Sequence, residues 1–386
     1  MAVSKATIKK NGYKLKGSLK KNGLDLWRYY FNARSVTTGN EAAFFIELLV
    51  VNPAISPDEF VLTQKSRPKL ETDDLQAAFA GNFDSQNDKA EEAVIPSFVA
   101  VRAGIYGDER KQINCFYPYK NFKIDRKRFC LEISDNLFSD DTLSGNLFCS
   151  KQDSSRFPEY MSQSGSISWN LHYERKEDFE EVDSTDDKFW LPTGVNCAFS
   201  GRLVLDEEEY AVSPKACYGY CDKIWGRTMP VPFFHISSNK LTSLFSGKII
   251  PEGCFAIQGT YDNKLSLLCR LDGDEFNFSP AGKYNKYEII YNCIPVPGEE
   301  EDEQLHWSVS IHNILYVCDI DIFCSARDML VRDYELPEGN HRVLKVLSGY
   351  HGNGELRIYK KIKKNLDLIH HAKIENCVSE YGNVED

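Results

Sequence analysis

Residues 27–52 read WRYYFNARSVTTGNEAAFFIELLVVN, and this stretch has the pattern of a β-hairpin. Trp27, Tyr29, Phe31 and Ala33 share one face of an extended chain, because successive side chains of a strand point in opposite directions. The turn residues Thr38-Gly39-Asn40 separate this run from the apolar run at 42–52. We therefore predict two antiparallel strands joined by a short turn.

Similar short runs of β-branched and aromatic residues recur along the chain between turn signals, and helical periodicity is almost absent. Further hairpins are predicted at 202–212, around Asp272-Gly273, and between the runs at 291–296 and 305–311. Many short strands at this spacing are typical of a sandwich or a barrel. The sequence thus predicts an all-β protein.

An acidic stretch that is poor in apolar residues, YERKEDFEEVDSTDDK, lies at 173–188 between two β-rich halves. A chain of 386 residues has room for two domains. We predict an N-terminal β domain at 1–175, an acidic linker at 176–192 and a C-terminal β domain at 193–386. A second polar region within 64–92 flanks LQAAFAG, for which we predict a long loop or a short helix.

The composition argues against a nucleic-acid-binding protein and against a membrane-spanning one. A net charge of −11 opposes general binding to nucleic acid, and no apolar run reaches the length of a membrane span. The N-terminus lacks the apolar segment of a signal peptide, so we predict a cytoplasmic protein. Its twelve scattered cysteines are then expected to be reduced packing residues. Cys217 and Cys221 have no second pair at metal-binding spacing, and we expect neither a metal nor a cofactor.

The first 24 residues contain seven lysines and no acidic residue. Such a segment could contact anionic lipid. Lysine also protects exposed edge strands from pairing with other chains. Because no apolar face accompanies the charge, we favour edge protection and keep a weak membrane-surface contact as the alternative.

Residues 218–227, YGYCDKIWGR, combine aromatic and charged side chains. In a strand, Tyr218, Tyr220 and Asp222 share one face. Burial in an apolar barrel would keep the Asp222 carboxyl group protonated, so that it could donate a proton, with Tyr220 as its hydrogen-bonding partner. Trp225 could offer its ring to a developing cation.

A structural role for the same aspartate is the alternative. It would pair with Lys223 or Arg227, or accept backbone N–H bonds at a turn. Residue chemistry alone favours this role. His235 could line a cavity, but a satisfied core histidine is the more frequent case. Asp319 and Asp321 alternate on one face, which is more typical of a solvated strand than of a glycosidase pair.

YGYCDKIWGR resembles the Y-x-Y-x-D-K-x-W-G signature of the tocopherol cyclase-like family, and more distantly an element of carotenoid 1,2-hydratases and lipocalin-like Diels–Alderases. WRYYFNAR, PSFVAVRAGIYG and GNGELRIYKK fit the same resemblance in order, so that it covers nearly the whole chain. It implies two tandem lipocalin-like antiparallel β-barrel or sandwich domains. It also implies an apolar ligand, such as an isoprenoid or a prenylated phenol.

The resemblance further implies an acid that protonates an alkene, after which cyclisation or hydration follows. Asp222 would be this acid and Tyr220 its partner. The substrate-binding positions would be Trp225, Tyr218, Phe233, His235, Asn239 and Trp190.

The chain departs from the family at two places. It has Phe233-Phe234-His235-Ile236 where the family usually has W-x-W, and Leu191-Pro192 follows Trp190 where a histidine is common. Either His235 takes the imidazole role, or the protein binds its lipid without catalysis. A carbohydrate-active sandwich is a third, less favoured reading.

Overall fold

The computed structural model describes residues 10–63, 94–125, 127–176, 183–184, 188–261, 264–279, 286–298, 303–340 and 342–384. Strands dominate these residues. The loop or helix predicted at LQAAFAG lies outside them, as do residues 177–182 and 185–187 of the predicted linker. The other regular elements are helix α1 (Lys151–Arg156) and 3₁₀ turns at Gly17–Lys20, Tyr119–Asn121, Pro158–Tyr160 and Ala326–Asp328.

The first thirteen strands form one antiparallel sheet. They are β1 (Leu24–Ser35), β2 (Glu41–Val51), β3 (Phe98–Ile105), β4 (Lys111–Tyr117), β5 (Phe122–Ile124), β6 (Cys130–Ile133), β7 (Asn136–Ser139), β8 (Thr142–Cys149), β9 (Gly165–Arg175), β10 (Asp183–Ser184), β11 (Lys188–Leu205), β12 (Glu208–Val212) and β13 (Gly219–Gly226).

The order of the first sheet is β4-β3-β2-β1-β12-β11-β9-β8-β7-β6-β5, and the sheet curls until β4 contacts β8. The predicted β1–β2 hairpin is confirmed, with pairing from Leu24↔Val51 to Arg34↔Glu41. Strands β12 and β13 follow each other in one line between β1 and β11. This line carries the YGYCDKIWGR segment into the middle of the sheet.

The remaining eleven strands form the second antiparallel sheet. They are β14 (Phe233–Ser238), β15 (Lys240–Ser243), β16 (Cys254–Tyr261), β17 (Lys264–Leu271), β18 (Asp274–Phe278), β19 (Glu288–Pro297), β20 (Glu303–His312), β21 (Tyr316–Ser325), β22 (Leu330–Glu335), β23 (Val343–Ile362) and β24 (Asn365–Val384).

The order of the second sheet is β18-β17-β16-β14-β24-β23-β21-β20-β19, with β15 beside β24 and β22 beside β23. The hairpin predicted at Asp272-Gly273 is confirmed. These residues have φ angles of 49° and 88°, as a two-residue type I′ turn requires. The hairpins predicted at 202–212 and between 291–296 and 305–311 are also confirmed.

The fold-class prediction is confirmed: the protein is all-β, with two antiparallel sheets that follow each other along the chain. The change from one sheet to the other lies between Gly226 and Phe233, later in the chain than the predicted linker at 176–192. Residues 188–192 belong to β11 of the first sheet. The domain boundaries proposed from sequence remain a prediction.

Strand β1 is buried on both faces, and this explains how the two sheets pack. Trp27, Tyr29 and Phe31 point into the core of the first sheet. Leu26 and Tyr30 point the other way, into an apolar layer shared with residues of the second sheet such as Val346. Full burial of a large apolar side chain stabilises a fold by about 1.5–3 kcal/mol. The layer between the sheets is therefore a core in its own right.

Among the described residues, the structure has no helix of the length and apolarity needed to cross a bilayer. The predicted lipid contact of the lysine-rich N-terminus concerns residues 1–24. Residues 1–9 of that segment lie outside the described part of the chain, and the contact remains a prediction.

Candidate functional site

A row of charged residues crosses the first sheet on the face that meets the second sheet. Strand register places Asp222 of β13 opposite Arg28 of β1, Arg28 opposite Glu47 of β2, and Glu47 opposite Arg102 of β3. The four side chains alternate in sign. All are buried, although buried charges are rare unless they are paired.

A second polar row crosses the second sheet and faces the first row. Gln258 of β16 stands opposite His235 of β14, which stands opposite Glu380 of β24, and Glu380 stands opposite Ser348 of β23. Arg332 of β22 reaches the same region. We call the two rows and Arg332 together the charged seam. Its members are Asp222, Arg28, Glu47 and Arg102 of the first sheet, and Gln258, His235, Glu380, Ser348 and Arg332 of the second.

Asp222 accepts four hydrogen bonds at the centre of the charged seam. Arg28 donates from Nε at 2.8 Å and from Nη2 at 2.5 Å. The Trp190 indole donates at 2.9 Å and the Tyr220 hydroxyl at 2.8 Å, both to Oδ2. The predicted partnership of Tyr220 with Asp222 therefore exists.

The surroundings of Asp222 differ from both predicted alternatives. Its carboxylate is not unpaired in apolar surroundings. It forms a bidentate ion pair with Arg28, because the pairing of β1 with β13 places that residue directly opposite. The neighbour proposed as a structural partner, Lys223, points to the other face of β13. There it pairs with Asp25 at 2.8 Å.

Glu380 is the second centre of the charged seam. Its carboxylate binds Arg28 at 2.6 Å, His235 at 2.9 Å and Arg332, and it accepts the Tyr30 hydroxyl at 3.0 Å. Although burial alone would raise the pKa of Glu380, the positive charges of Arg28 and Arg332 hold it well below its usual range. An ionised carboxylate is the stable form when several donors surround it.

His235 lies beside this carboxylate as a neutral imidazole. Burial and the charge of Arg28 lower the pKa of His235. A neutral ring that carries its proton on Nδ1 donates to Glu380. Its Nε2 atom has no hydrogen-bond partner among the described residues. Its ring also lies against Tyr220, with 5.1 Å between the ring centroids.

Five of the eight predicted site residues thus meet in one region: Asp222, Tyr220, Trp190, His235 and Phe233. The Phe233 ring lies 5.2 Å from the guanidinium carbon of Arg28.

The other three predicted residues lie elsewhere. Trp225 is an odd number of positions from Asp222 and so points to the opposite face of β13, where it stacks on Phe189. Asn239 donates to the Gly219 carbonyl at 2.8 Å. The Tyr218 ring lies beside the Lys240 ammonium at 5.2 Å.

Sequence reasoning missed Arg28, Glu380 and Arg332. Arg28 and Glu47 carried a signal, because each is a charge inside strongly apolar strand sequence. Glu380 and Arg332 carried none, since their segments read as ordinary half-exposed strands.

An open cleft of about 1360 Å³ lies beside the charged seam and is lined from both sheets. The first sheet and its turns contribute carboxylates such as Glu41 and Glu208 together with Ile105 and Tyr210. The second sheet contributes Phe323 and the residues around the turn Ala326–Asp328. The walls therefore combine acidic, apolar and aromatic groups.

The cleft and the charged seam are connected through Tyr106. This residue lines the cleft. Its hydroxyl accepts from Arg332 at 3.0 Å and is hydrogen-bonded to Ser348 at 2.8 Å. Tyr106 thus connects the lining of the cleft to the network that joins the sheets.

Two solved structures are similar to this chain in overall arrangement. A Nitrosomonas europaea protein provisionally assigned as AttH has 8% identity and a TM-score of 0.46, over 97% of each chain. Kievitone hydratase from Nectria haematococca has 10% identity and a TM-score of 0.41, over 100% of this chain and 96% of that one. Similarity at this level carries no information about function.

No family model matches the chain, and the search of curated proteins found no match. The resemblance to tocopherol cyclase-like proteins therefore remains a prediction.

Proposed function

We propose that the protein binds a small organic molecule in the cleft between its two sheets. The cleft itself carries this proposal, because its volume of about 1360 Å³ has room for a molecule that would fill an ordinary ligand pocket of roughly 300–1,000 Å³. Walls contributed by two units are a frequent setting for such sites. In this proposal the charged seam keeps the units in the relative position that forms the cleft.

The ligand class that we propose is an isoprenoid or prenylated phenol. Such a molecule has a long apolar part and a polar end, which suits walls that combine Ile105 and Phe323 with carboxylates and hydroxyls. The family resemblance of the sequence supports the same class. The protein would then be a lipocalin-like binding protein.

Proton-initiated cyclisation or hydration at Asp222 is the second candidate function. It is favoured by the convergence of Asp222, Tyr220, Trp190 and His235 in one region. The ion pair with Arg28 opposes it, since a carboxylate that already accepts four hydrogen bonds is a poor proton donor. Asp222→Asn tests it: turnover of a prenylated phenol by the wild type, abolished in the variant without loss of binding, would favour this candidate.

The binding proposal is tested by extracting the purified protein and identifying co-purifying molecules by mass spectrometry. Gln304→Trp places a large ring in the cleft, and we expect it to reduce the recovered ligand about tenfold. Ser308→Trp is the matched control, because Ser308 is a half-buried residue of the same strand that does not line the cleft. Equal recovery from both variants would contradict the proposal.

A further inference from the structure

A group of titratable residues outside the charged seam lies in the wall of the cleft. His351 belongs to β23, and Asp328 ends the neighbouring 3₁₀ turn. Nδ1 of His351 lies 2.5 Å from Oδ1 of Asp328. Both residues line the cleft. The fold therefore places an imidazole–carboxylate pair where a bound molecule would touch it.

The Asp328 carboxylate is fixed by the backbone. Its Oδ2 accepts the N–H of His351 at 2.9 Å and that of Tyr350 at 3.3 Å. The side chain of Asp328 is only 10% exposed, whereas that of His351 is 37% exposed. Nε2 of His351 has no hydrogen bond to any described residue. The ring is thus held at one nitrogen and open at the other, as in the base and orienting acid of a catalytic triad.

The charges around His351 favour the imidazolium. Burial lowers the pKa of His351, but the hydrogen bond and negative charge of Asp328, with the charge of Glu41, outweigh burial and raise it. Lys240 acts weakly in the opposite direction. A histidine whose pKa is raised in this way keeps its positive charge to a higher pH than an ordinary histidine does.

We propose that His351 transfers protons to and from the molecule in the cleft, and that Asp328 is its positioning residue. This inference rests on the proposed function, because it requires the ligand to occupy the cleft. Glu41, Glu109 and Glu208 also line the cleft. Their negative charge disfavours anionic ligands and stabilises positive charge that develops when a ligand is protonated. The substrate class is therefore an uncharged or cationic organic molecule with a proton-accepting group.

The test uses the full chain and p-nitrophenyl acetate as an uncharged probe. Nε2 of His351 takes a proton from water, the water oxygen bonds to the acetyl carbon, and the C–O bond to nitrophenolate breaks. Nε2 then releases its proton to solvent and the acetic acid that forms ionises, so the products are acetate, nitrophenolate and two protons. We expect His351→Gln to lower the rate above background by about a hundredfold.

The pH profile separates a catalytic role from a structural one. The wild-type rate should rise with pH to a midpoint above about 6.5, the ordinary pKa of histidine. Asp328→Asn should shift this midpoint downwards, while the thermal midpoint of each variant is checked separately. His371→Gln is the control, because His371 pairs with Glu355 at 2.9 Å and does not line the cleft.

Equal rates in the wild type and His351→Gln, or an equal loss in His371→Gln, would overturn the inference. Ligand recovery from His351→Gln distinguishes this failure from failure of the proposed function. If His351→Gln keeps its ligand and its rate of ester hydrolysis is unchanged, the inference about His351 is contradicted and the binding proposal is not. Ligand recovery that Gln304→Trp does not reduce contradicts the binding proposal.

Discussion

Arg28→Met removes the cation that joins the two centres of the charged seam. Arg28 binds Asp222 through two nitrogens and Glu380 through the third, and all three side chains are fully buried. Methionine keeps much of the apolar stem but no charge. Both carboxylates would then lose a partner without access to water.

The expected cost follows from the partners that remain. Breaking a buried ion pair by removing one member costs about 3–5 kcal/mol. Glu380 would keep its contacts with Arg332 and His235, so only part of its stabilisation is lost. Asp222 would keep only Trp190 and Tyr220, both neutral. We therefore expect the free energy of unfolding to fall by about 5 kcal/mol, a large part of the usual total of about 5–15 kcal/mol.

Urea unfolding at neutral pH, followed by tryptophan fluorescence and circular dichroism, measures this loss. Two probes are needed because two packed units need not unfold in one step. Arg202→Met is the matched control: Arg202 is 77% exposed and pairs with Glu209 at 3.0 Å. A surface pair of this kind is worth less than about 1 kcal/mol.

A loss in Arg28→Met no larger than in Arg202→Met would refute the reasoning, because it would mean that the buried carboxylates do not depend on Arg28. The double variant Arg28→Met/Asp222→Leu gives a further check. It removes the orphaned carboxylate together with its partner, and should recover part of the loss.

Two other predictions concern the same region. The pKa of Glu380 is held below its unfolded value of about 4.3. Its contribution to stability is therefore present above about pH 4.3 and is lost as the pH falls below that value. We expect the unfolding free energy between pH 3 and 7 to depend less on pH in Glu380→Gln than in the wild type. Trp190→Phe removes an indole donor from Asp222 and should cost about 1–3 kcal/mol in urea unfolding, whereas Trp225→Phe should leave the Asp222 network intact. This contrast would be contradicted if Trp190→Phe and Trp225→Phe lost the same unfolding free energy and the surroundings of Asp222 stayed unchanged in both variants.

The sequence was sufficient for the local structure. The alternation from Trp27 to Ala33, the turn at Thr38-Gly39-Asn40 and the Asp272-Gly273 dipeptide each determine conformation within a few residues, and those hairpins form as predicted. The face of Tyr220 and Asp222 follows from the two-residue period alone. The same period indicates that Trp225 lies on the opposite face, a consequence that the family resemblance obscured.

The partners of Asp222 could not be read from the sequence, because they depend on register between distant strands. Arg28 lies 194 residues away along the chain, and Glu380 lies 352 residues from Arg28. A shift of one residue in the β1–β13 pairing would turn the two side chains to opposite faces. Burial of Asp222 was one of the alternatives that the sequence left open, but the charge that compensates it could not be predicted.

The charged seam is better explained by its effect on the relative position of the two sheets than by its effect on the stability of the fold. Apolar residues of similar size can stabilise a buried contact as well as an ion pair does, because burial of charges has a large desolvation cost. Arg28, however, binds Asp222 of its own sheet and Glu380 of the other, while Arg332 binds Glu380 of its own sheet and Glu47 of the other. Two opposed bridges of this kind leave a charge unpaired if either sheet slides or rotates. We expect the sheets, and with them the cleft walls, to be fixed in one relative position. The double variant Arg28→Met/Asp222→Leu separates the two explanations: if the network sets geometry, ligand recovery stays low even where stability returns, and full recovery of the ligand would show that apolar packing is enough.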